Sequence, residues 1–421
     1  MKKQEHILVV SQYFYPEQFR INDICKEWVS AGHKVTVLTG VPNYPQGKFY
    51  KGYGLFKNNS ERWEDMDIIR LPIIPRGSNP VMLSLNYLSF VISGFFWQIC
   101  TQIKPDKVFV YEVSPMTQAL VGVWLANRRK IPCYMYVTDL WPENFEYITG
   151  IHSKLIVTPI EWMVKYLYKS CKKIFISSRS FVNSIKSKGI KEEKIVYWPQ
   201  YAEDFYVHKK ISEIDKNSIR IRQDGRFHIL FAGNIGEAQG LDVLVDTAKI
   251  LKDNGRNNVL FCIVGDGRHK ATLMENVERQ QVSEMFSFYP RIPAVQIPDV
   301  FAQTDAALIC LSKSDVFALT LPAKTQSCLA CGKPVIVSAD GEIQNIIEEA
   351  MCGVAANAND AEALAEKIED MLSWGEVELA QMSENAISYY SKNFDKKKLL
   401  SDMDKYMDLS REKARNFVLE N

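Results

Sequence analysis

Apolar residues in the first half of the chain form short continuous runs between helical stretches, and they rarely alternate with polar residues. Such runs are typical of strands in a parallel sheet that helices cover on both faces. The predicted strands are Ile7–Val10, Lys34–Thr39, Ile68–Leu71, Lys107–Val110, Cys133–Val137, Lys173–Ile176 and Ile195–Tyr197. The predicted helices are Ile21–Ala31, Pro80–Ile103, Met116–Asn127, Ser153–Ser170 and Ser178–Lys188. This half is therefore predicted to be a doubly wound α/β domain.

The same pattern starts again after a polar stretch from Lys209 to Arg226. Its predicted strands are His228–Ala232, Leu260–Val264, Phe286–Tyr289, Ala306–Leu311, Pro334–Ser338 and Gly353–Ala355. We predict an N-terminal domain over 1–200, a C-terminal domain over 201–385 and a helical segment over 386–421 that packs back on the N-terminal domain. Doubly wound domains bind ligands at the carboxyl ends of their strands, so we expect the two crevices to face each other across a cleft.

Composition and charge narrow the class of protein. A chain of 421 residues suits two domains. Its 51 basic and 50 acidic side chains balance, whereas a nucleic-acid-binding protein needs a basic excess. The nine cysteines are scattered and odd in number, which favours a reducing compartment. Cys328 and Cys331 form a CxxC pair, but without a second pair we interpret it as part of a helix end rather than a redox or zinc site.

One segment, Val81 to Cys100, is almost entirely apolar and is long enough, at about 20 residues, to span a bilayer. It also carries Asn86, three serines and Gln98, and it lies within the α/β pattern. Three interpretations remain, in order of preference: a buried helix, a helix lying against a membrane surface, and a membrane span. No cleavable leader is recognisable before the first strand, so we expect a cytoplasmic protein.

Three segments of the C-terminal half predict a site for a phosphorylated ligand. The strand around Phe231 leads into a turn with Gly233 and Gly236 and then towards a helix near Gly240. The next strand ends in Gly265-Asp266-Gly267-Arg268, and Lys324 lies in the first turn of a later helix. Glycine turns and helix N-termini let a phosphate approach main-chain N–H groups, and a lysine at a helix start is favourable when it shares an anion. Standing alone, the turn at 233–240 would be interpreted as an ordinary strand-to-helix connection, whereas the three segments together favour a diphosphate site.

Several motifs resemble those of a known family over nearly the whole chain. The N-terminal half contributes SQYFYPEQFRIND at 11–23, GHKVTVLTGVPNYP at 32–45 and DLWPE at 139–143. The C-terminal half contributes the turn at 233–240, GDGR at 265–268, RIP at 291–293, LPAK at 321–324 and CGKP at 331–334. These resemble the GT-B glycosyltransferases of family 4, in particular the bacterial surface-polysaccharide branch that includes N-acetyl-L-fucosamine transferases.

The resemblance implies two Rossmann-like domains, with the nucleotide-sugar donor on the C-terminal one, the acceptor on the N-terminal one, and neither metal nor cofactor. The donor-binding positions that it implies are Gly233, Asn234, Gln239, Gly265, Asp266, Gly267, Arg268, Arg291, Ile292, Lys324, Gln326 and Ser327. The acceptor-binding positions are Arg20, Asn22, Asn43 and Tyr44. The sequence has neither a DxD pair nor clustered histidines, so the diphosphate charge is expected to be met by helix N-termini and cations.

The chain departs from the family pattern in three places. Asn234 and Gln239 stand where many members have an arginine and a lysine, and Ser327 stands where many have the second of two glutamates. We therefore expect the cationic role to pass to Arg268 and Lys324, and a ribose contact to pass to Gln326 or Ser327. The glycine pair of the first turn is also absent, and Arg20 in that turn is within reach of a phosphate on either substrate.

Asp139 is the first candidate for a catalytic base. It follows a predicted strand, at the edge where a doubly wound domain binds its ligand. Thr138 stands where relatives carry a histidine, which leaves Asp139 as the ionisable group to take a proton from an acceptor hydroxyl. A structural role as a turn cap is the alternative for Asp139. Glu143 and Glu17 are the second candidates.

The sequence thus predicts transfer of an N-acetylated amino or deoxy sugar from a UDP-sugar to a polyprenyl-diphosphate-linked saccharide. The enzyme would act in O-antigen or capsule synthesis, peripherally on the inner face of the membrane. The alternatives are a nucleotide-sugar 2-epimerase of the same fold and a non-catalytic sugar-nucleotide-binding assembly protein. A dinucleotide-dependent oxidoreductase is disfavoured because residues 11–17, which follow the first strand, contain no glycine. Retention is the family default, whereas an aspartate base would suit inversion, so the stereochemistry stays open.

Overall fold

The computed structural model describes residues 4–221 and 223–409. The chain divides into two compact units. Of the described residues, unit 1 contains 4–198 and 400–409, and unit 2 contains those between Pro199 and Leu399. Each unit is built around its own largely parallel sheet with helical connections, so the predicted class, two doubly wound α/β halves, is confirmed.

Unit 1 holds an eight-stranded sheet in the order β3-β4-β2-β1-β5-β6-β7-β8. Its strands are β1 (His6–Val10), β2 (Lys34–Gly40), β3 (Ser60–Trp63), β4 (Met66–Leu71), β5 (Lys107–Glu112), β6 (Cys133–Val137), β7 (Lys173–Ile176) and β8 (Ile195–Tyr197). Its helices are α1 (Arg20–Ser30), α2 (Pro80–Cys100), α3 (Ala119–Arg129), α4 (Glu143–Thr149), α5 (Lys154–Ser170) and α6 (Phe181–Ser187). All seven predicted strands of this half are present.

β3 is the strand of unit 1 that sequence analysis missed. It pairs antiparallel with β4 at the edge of the sheet, and its four residues are at least partly exposed. An edge strand of this kind, Ser-Glu-Arg-Trp, has no continuous apolar run, so the pattern used to find the buried strands does not detect it.

The centre of the sheet fixes where unit 1 can hold a ligand. β1 and β5 are neighbours, and the chain leaves them in opposite directions, towards β2 and towards β6. At such a switch point the loops after the two strands separate and leave a crevice at the carboxyl ends. The loops concerned are residues 11–19 after β1 and residues 113–118 after β5.

Unit 2 holds a six-stranded parallel sheet in the order β11-β10-β9-β12-β13-β14. Its strands are β9 (Phe227–Asn234), β10 (Val259–Asp266), β11 (Phe286–Tyr289), β12 (Ala306–Cys310), β13 (Val335–Ser338) and β14 (Gly353–Ala356). Its helices are α7 (Val243–Asp253), α8 (Lys270–Arg279), α9 (Ile297–Phe301), α10 (Asp315–Leu319), α11 (Lys324–Ala330), α12 (Glu342–Ala350), α13 (Ala361–Ser373) and α14 (Glu376–Asn393). The switch point lies between β9 and β12.

The last described helix, α15 (Lys396–Tyr406), begins in unit 2 and enters unit 1 at Leu400. In unit 1 the Trp28 indole N–H donates to the Asp404 carboxylate at 3.1 Å, and Met403 and Met407 are fully buried. The helical segment predicted over 386–421 therefore differs in its start, because residues 386–399 belong to unit 2. The part of that segment from 410 onwards lies outside the described residues.

The preferred interpretation of the apolar segment at 81–100, a buried helix, is wrong. This segment forms most of α2, whose buried residues are Asn86, Phe90, Gly94 and Gln98. The exposed stripe of α2 consists of apolar side chains three or four residues apart: Val81, Leu85, Leu88, Ile92, Phe96 and Ile99. Among the described residues, α2 is the helix whose length and composition would suffice to cross a bilayer. Apolar composition alone does not reveal which face of a helix packs inwards.

Candidate active site

Two glycine turns lie side by side at the carboxyl ends of β9 and β10, next to the switch point of unit 2. Gly233 is aligned with Gly265, and Asn234 with Asp266. A Cβ atom on Gly265 would lie 1.9 Å from the Gly233 carbonyl oxygen, and one on Gly267 would lie 2.1 Å from the Ile235 carbonyl oxygen. Only glycine permits this backbone approach, so the predicted pair of turns is one continuous structural feature.

The turn after β9 is also held against the end of β12. Gly240 has a φ of 59°, and a Cβ atom there would lie 3.0 Å from the Ser312 main-chain nitrogen. That nitrogen donates to the Ala238 carbonyl at 3.0 Å, and the Ser312 hydroxyl donates to the Glu237 carbonyl. These hydrogen bonds fix the loop across the switch point.

Lys324 brings a positive charge to this turn. It is the first residue of α11, and its Nζ atom donates to the Gln239 side-chain oxygen at 2.9 Å. The same Nζ lies 4.1 Å from the centre of the Phe231 ring and 3.5 Å from the position of a Cβ atom on Gly233. Burial lowers the pKa of Lys324 to about 8. An ammonium group that has lost much of its water and hydrogen-bonds to a neutral amide favours the approach of an anion.

Other predicted donor positions lie around the second turn. The Asp266 carboxylate accepts the Gly267 N–H at 2.8 Å, and Arg268 is exposed directly after it. Lys270, the first residue of α8, was not among the predicted residues, and its Nζ donates to the Gly265 carbonyl at 3.0 Å. The sequence signal available for Lys270 was that it is a second basic residue, after Arg268, within five positions of Gly265. This end of unit 2 therefore carries several cations beside exposed glycine backbone.

The remaining predicted donor positions have mixed surroundings. Arg291 is exposed in the loop after β11, and Ile292 packs against the core of unit 2. Gln326 is only 1% exposed on α11, and both polar atoms of its side chain are buried without a hydrogen-bond partner, so a ribose contact from this side chain stays a prediction. Ser327 is partly exposed and hydrogen-bonds with Tyr206. Ser327 is thus the better placed of the two for a surface contact.

Glu17 clamps a loop in unit 1 rather than facing solvent. Its side chain is 2% exposed, and its Oε1 atom accepts the main-chain N–H groups of Asn43 at 2.8 Å and Tyr44 at 2.6 Å. Burial raises the pKa of Glu17 to about 7, although the N–H groups of Tyr44 and Asn43 act in the opposite direction. The structure therefore gives this carboxylate a positioning role, and its use as a catalytic base is not supported by its surroundings.

The predicted acceptor residues lie at the same end of the sheet. Asn22 donates to the Glu17 carbonyl at 2.7 Å, and the fully buried Asn43 accepts the Arg76 main-chain N–H at 2.8 Å. Arg20 opens α1 and exerts its charge on Tyr111 and Tyr136, which belong to β5 and β6. The structure thus brings Arg20 to the switch point of unit 1, as a phosphate-binding residue there requires.

An aromatic cluster that sequence analysis missed surrounds Tyr44. The rings of Tyr13, Phe19 and Tyr44 lie 5.4 to 5.5 Å apart, pair by pair. Arg76 donates to the Tyr13 hydroxyl at 2.9 Å, and its guanidinium lies 5.3 Å from the centre of the Tyr44 ring. Tyr44 is 38% exposed, so this cluster presents an aromatic face and a nearby cation at the crevice of unit 1. Aromatic faces of this kind suit contact with sugar rings or with apolar groups.

Asp139 lies two residues after the end of β6 and is partly exposed. Its Oδ2 atom accepts the Ser114 main-chain N–H at 2.7 Å, which joins the loop after β6 to the loop after β5. Glu112, at the end of β5, is fully buried beside it, and sequence analysis missed this residue. Burial first, and the charge of Asp139 second, raise the pKa of Glu112 well above its usual range. The sequence signal available for Glu112 was a carboxylate at the end of a buried central strand.

Glu143 is engaged in a contact between two helices. Its Oε1 atom accepts the Ser184 hydroxyl at 2.5 Å and the Lys188 ammonium at 2.7 Å, so it joins α4 to α6. Burial alone would raise the pKa of Glu143, but the charge and hydrogen bond of Lys188 and the Ser184 hydroxyl lower it. A carboxylate held ionised by its own lysine is a weak proton acceptor, which disfavours Glu143 as the base.

Metal and thiol chemistry have little support in the described parts of the chain. Within residues 4–221 and 223–409, no group of three or more His, Cys, Asp or Glu side chains is placed to hold a metal ion. All nine cysteines are described and are free thiols, and burial raises the pKa of both Cys328 and Cys331. A buried thiol with a raised pKa is unreactive, in line with the interpretation of this CxxC pair as a helix end.

Comparison with family profiles gives a match in each half of the chain. Residues 19–200 match the description "Glycosyltransferase Family 4", and residues 212–389 match "Glycosyl transferases group 1". Both matches describe glycosyltransferases, and together they cover most of both units. The candidate sites described above fall inside the matched ranges, apart from Glu17 and the turn directly after β1.

Individual relatives are distant but cover most of the chain. WcaI of Escherichia coli strain K12, whose name describes a colanic acid biosynthesis glycosyl transferase, is 26% identical over 75% of this chain and 77% of its own. A 41.2 kDa protein in the cps region of Klebsiella pneumoniae is 23% identical over 65% of this chain and 72% of its own. The solved structure of Anabaena HepE with UDP and glucose has a TM-score of 0.69 at 14% identity, covering 96% of this chain and 100% of HepE.

Proposed function

Because this chain belongs to the GT-B glycosyltransferases of the group 1 and family 4 type, we propose that it transfers a sugar from a UDP-sugar to a lipid-linked saccharide. The sugar is an N-acetylated amino or deoxy sugar, and the acceptor is a polyprenyl-diphosphate-linked glycan. The reaction serves O-antigen or capsule synthesis at the inner face of the membrane. The names of the E. coli and Klebsiella relatives, which refer to colanic acid and to a cps region, support a polysaccharide pathway.

The observation that carries this proposal is the contact between Lys324 and Gln239 beside the paired glycine turns. It places a partly desolvated cation where exposed main-chain groups meet the switch point of unit 2. A nucleoside diphosphate needs such a combination, because its two phosphates carry charge that must be met when no metal ion takes part. The binding of UDP by HepE, which has the same fold, supports UDP as the nucleotide.

The proposed chemistry uses groups from both halves of the sequence. In the transfer, the bond between the anomeric carbon and the β-phosphate oxygen breaks, and the acceptor hydroxyl oxygen bonds to that carbon. Asp139 accepts the hydroxyl proton. Lys324, Lys270 and Arg268 stabilise the charge that develops on the departing UDP. Arg20 binds the acceptor diphosphate, and Tyr44 with its aromatic neighbours contacts the acceptor saccharide.

Titration of nucleotides into the purified protein tests the donor assignment. We expect UDP to bind more tightly than GDP, and Lys324→Ala to weaken UDP binding by about 1.5–3 kcal/mol, the loss of a charge-assisted hydrogen bond. Lys249→Ala, an exposed lysine on α7, is the matched control and should leave the dissociation constant unchanged. Since the pKa of Lys324 is about 8, UDP affinity of the wild type should fall as the pH rises through 8. Equal UDP affinity in Lys324→Ala and the wild type would refute the proposed donor site.

A further inference from the structure

The polarity of α2 is reversed relative to a helix that packs on a protein core. Asn86 and Gln98 are buried on its inner face, while Leu88, Ile92 and Phe96 are exposed on its outer face. Charged residues do not occur anywhere from Pro80 to Cys100. A monomeric soluble protein rarely leaves a continuous apolar stripe along a helix of this length open to water.

The inner face of α2 is fixed to unit 1 along its whole length. Asn86 accepts from the Gln12 side chain at 2.7 Å, and the Ser93 hydroxyl donates to the Pro72 carbonyl at 2.6 Å. A Cβ atom on Gly94 would lie 2.3 Å from the Val121 side chain, so α3 packs directly against the helix axis. A helix held in this way cannot cross a bilayer while unit 1 stays folded, whereas it can lie flat on a membrane surface with its outer face buried.

Positive charge lies at the carboxyl end of α2. The Arg128 guanidinium donates to the Ile99 carbonyl at 3.0 Å, Arg129 donates to the Thr101 carbonyl at 2.9 Å, and Lys104 and Lys130 are exposed nearby in the chain. Basic side chains next to an apolar helix face are the combination that binds anionic lipid surfaces. The negative headgroups of an anionic bilayer are complementary to these side chains, so charge favours lipid as the occupant.

Helix α5 also presents exposed aromatic and basic side chains. Asn127 of α3 donates to the Tyr166 hydroxyl of α5 at 3.2 Å, and Trp162, one turn earlier on α5, is 70% exposed. Lys165 and Lys169 of α5 are also exposed, against one exposed acidic residue of this helix, Glu161. Tryptophan and tyrosine are enriched where protein meets the headgroup region of a bilayer.

We propose that the outer face of α2 is a docking surface for an anionic bilayer, on which the helix lies parallel to the membrane plane. This inference deepens the proposed function and rests on it only in that the acceptor is lipid-linked. Gln12, which anchors α2 through Asn86, directly precedes Tyr13 of the aromatic cluster at the acceptor crevice. Docking through α2 therefore holds that crevice close to the lipid headgroups that carry the acceptor.

Sedimentation of the full chain with vesicles tests the surface. We expect binding to vesicles of phosphatidylcholine mixed with phosphatidylglycerol, and weaker binding to phosphatidylcholine alone. The double variant Leu88→Ser with Ile92→Ser should lower the partition coefficient by about tenfold per side chain. The matched control Met351→Ser with Val377→Ser changes two exposed apolar residues of unit 2 and should bind as the wild type does. Arg128→Gln should lower the preference for anionic vesicles by about fivefold.

The protein offers a native position for a probe at this surface. Cys100, at the end of α2, is exposed, and the other eight cysteines are buried. An environment-sensitive fluorophore on Cys100 should therefore report this face, and its emission should shift to the blue when anionic vesicles are added. Release of the bound protein by high salt or alkaline carbonate is expected for a helix that lies on the surface, whereas release by detergent alone would contradict the flat orientation.

Three further results would overturn the proposal. One is equal vesicle binding by the α2 double variant and the wild type, and another is an unchanged Cys100 fluorophore emission on vesicles. The third is a wild-type dimer in sedimentation velocity that the double variant dissociates, because a second copy would then occupy the face. UDP titration of the wild type and of the same double variant keeps the two hypotheses apart. If the double variant binds both UDP and vesicles as the wild type does, the docking surface alone is refuted. If the wild type does not bind UDP, the proposed function is refuted.

Discussion

At the scale of single residues, the three candidate carboxylates differ in what their oxygen atoms already bind. The Glu17 carboxylate accepts hydrogen bonds from two main-chain N–H groups of a loop, and the Glu143 carboxylate accepts from a lysine and a serine. Asp139 has one oxygen on the Ser114 N–H and is partly exposed. We therefore retain Asp139 as the proposed base and assign the two glutamates to positioning roles.

Replacing Asp139 with asparagine separates the catalytic role from a structural one. The asparagine oxygen can still accept the Ser114 N–H, so the thermal midpoint should hardly change. Turnover should fall by about 10²–10⁴-fold because the proton acceptor is lost. Asp360→Asn is the control, since Asp360 also accepts a main-chain N–H, that of Ala363, but does so at the start of α13. Normal turnover per folded molecule in Asp139→Asn, with a lowered midpoint, would show that Asp139 is only a cap.

The raised pKa of Glu17 predicts that the stability of the protein depends on pH. Its pKa is about 7 in the folded protein against an ordinary value of 4.5, so between these values the folded state holds a proton that the unfolded state has lost. The contribution of this group to the free energy of unfolding therefore falls as the pH rises from about 4.5 to 7. Glu17→Gln removes this contribution, and its urea unfolding at pH 5 and pH 8 should show a smaller decrease than the wild type.

Glu278→Gln, an exposed residue of α8, serves as the control for this measurement and should follow the wild type. If Glu17→Gln loses as much stability as the wild type between pH 5 and pH 8, the carboxylate does not titrate in the way that its burial implies. The outcome concerns the loop at Asn43 and Tyr44, and hence the geometry of the proposed acceptor crevice, whatever the identity of the base.

At the scale of elements, the paired turns of β9 and β10 depend on the absence of side chains. In Gly267→Ala the new Cβ atom would meet the Ile235 carbonyl at 2.1 Å, so the backbone of one turn must move away from the other. We expect lower stability, by about 1–3 kcal/mol, and UDP affinity reduced further than stability explains. Gly54→Ala is the control, because the nearest atom there is 4.0 Å away. Full UDP affinity in Gly267→Ala would show that the donor does not use this turn.

The sequence predicts which segments form the buried strands of this fold, but it predicts less well how the elements pack against one another. Continuous apolar runs identify the central strands, because a strand covered on both faces leaves no place for polar residues. The same reasoning misses β3 at the edge of the sheet and misjudges α2, since an apolar helix face can pack inwards or remain outside. Apolar composition indicates that a surface is unfavourable in water, but it does not indicate what that surface packs against.

The site residues show the same limit. Gly233, Gly265 and Lys324 are recognisable because glycine turns and helix starts have local signatures. The contact of Lys324 with Gln239 and the burial of Glu112 beside Asp139 join positions far apart in the chain, which only the folded sheet brings together. Gln326 is predicted in the site as the neighbour of Ser327, which occupies a motif position, but only the folded structure shows that this side chain of α11 is buried.

At the scale of the whole molecule, the proposed function requires a sugar to leave UDP and appear on a lipid. The purified protein is incubated in EDTA with a panel of labelled UDP-hexosamines and UDP-deoxyhexosamines and with a lipid extract of its host. We predict that label enters the lipid fraction, that UDP is released in equal molar amount, and that Lys324→Ala slows both. Label recovered as an epimeric UDP-sugar would identify a 2-epimerase, and label that remains on unchanged UDP-sugar would identify a binding protein. Either result would contradict the proposed transfer. Transfer that requires added Mg²⁺ or Mn²⁺ would contradict a diphosphate site built from cations and glycine turns alone.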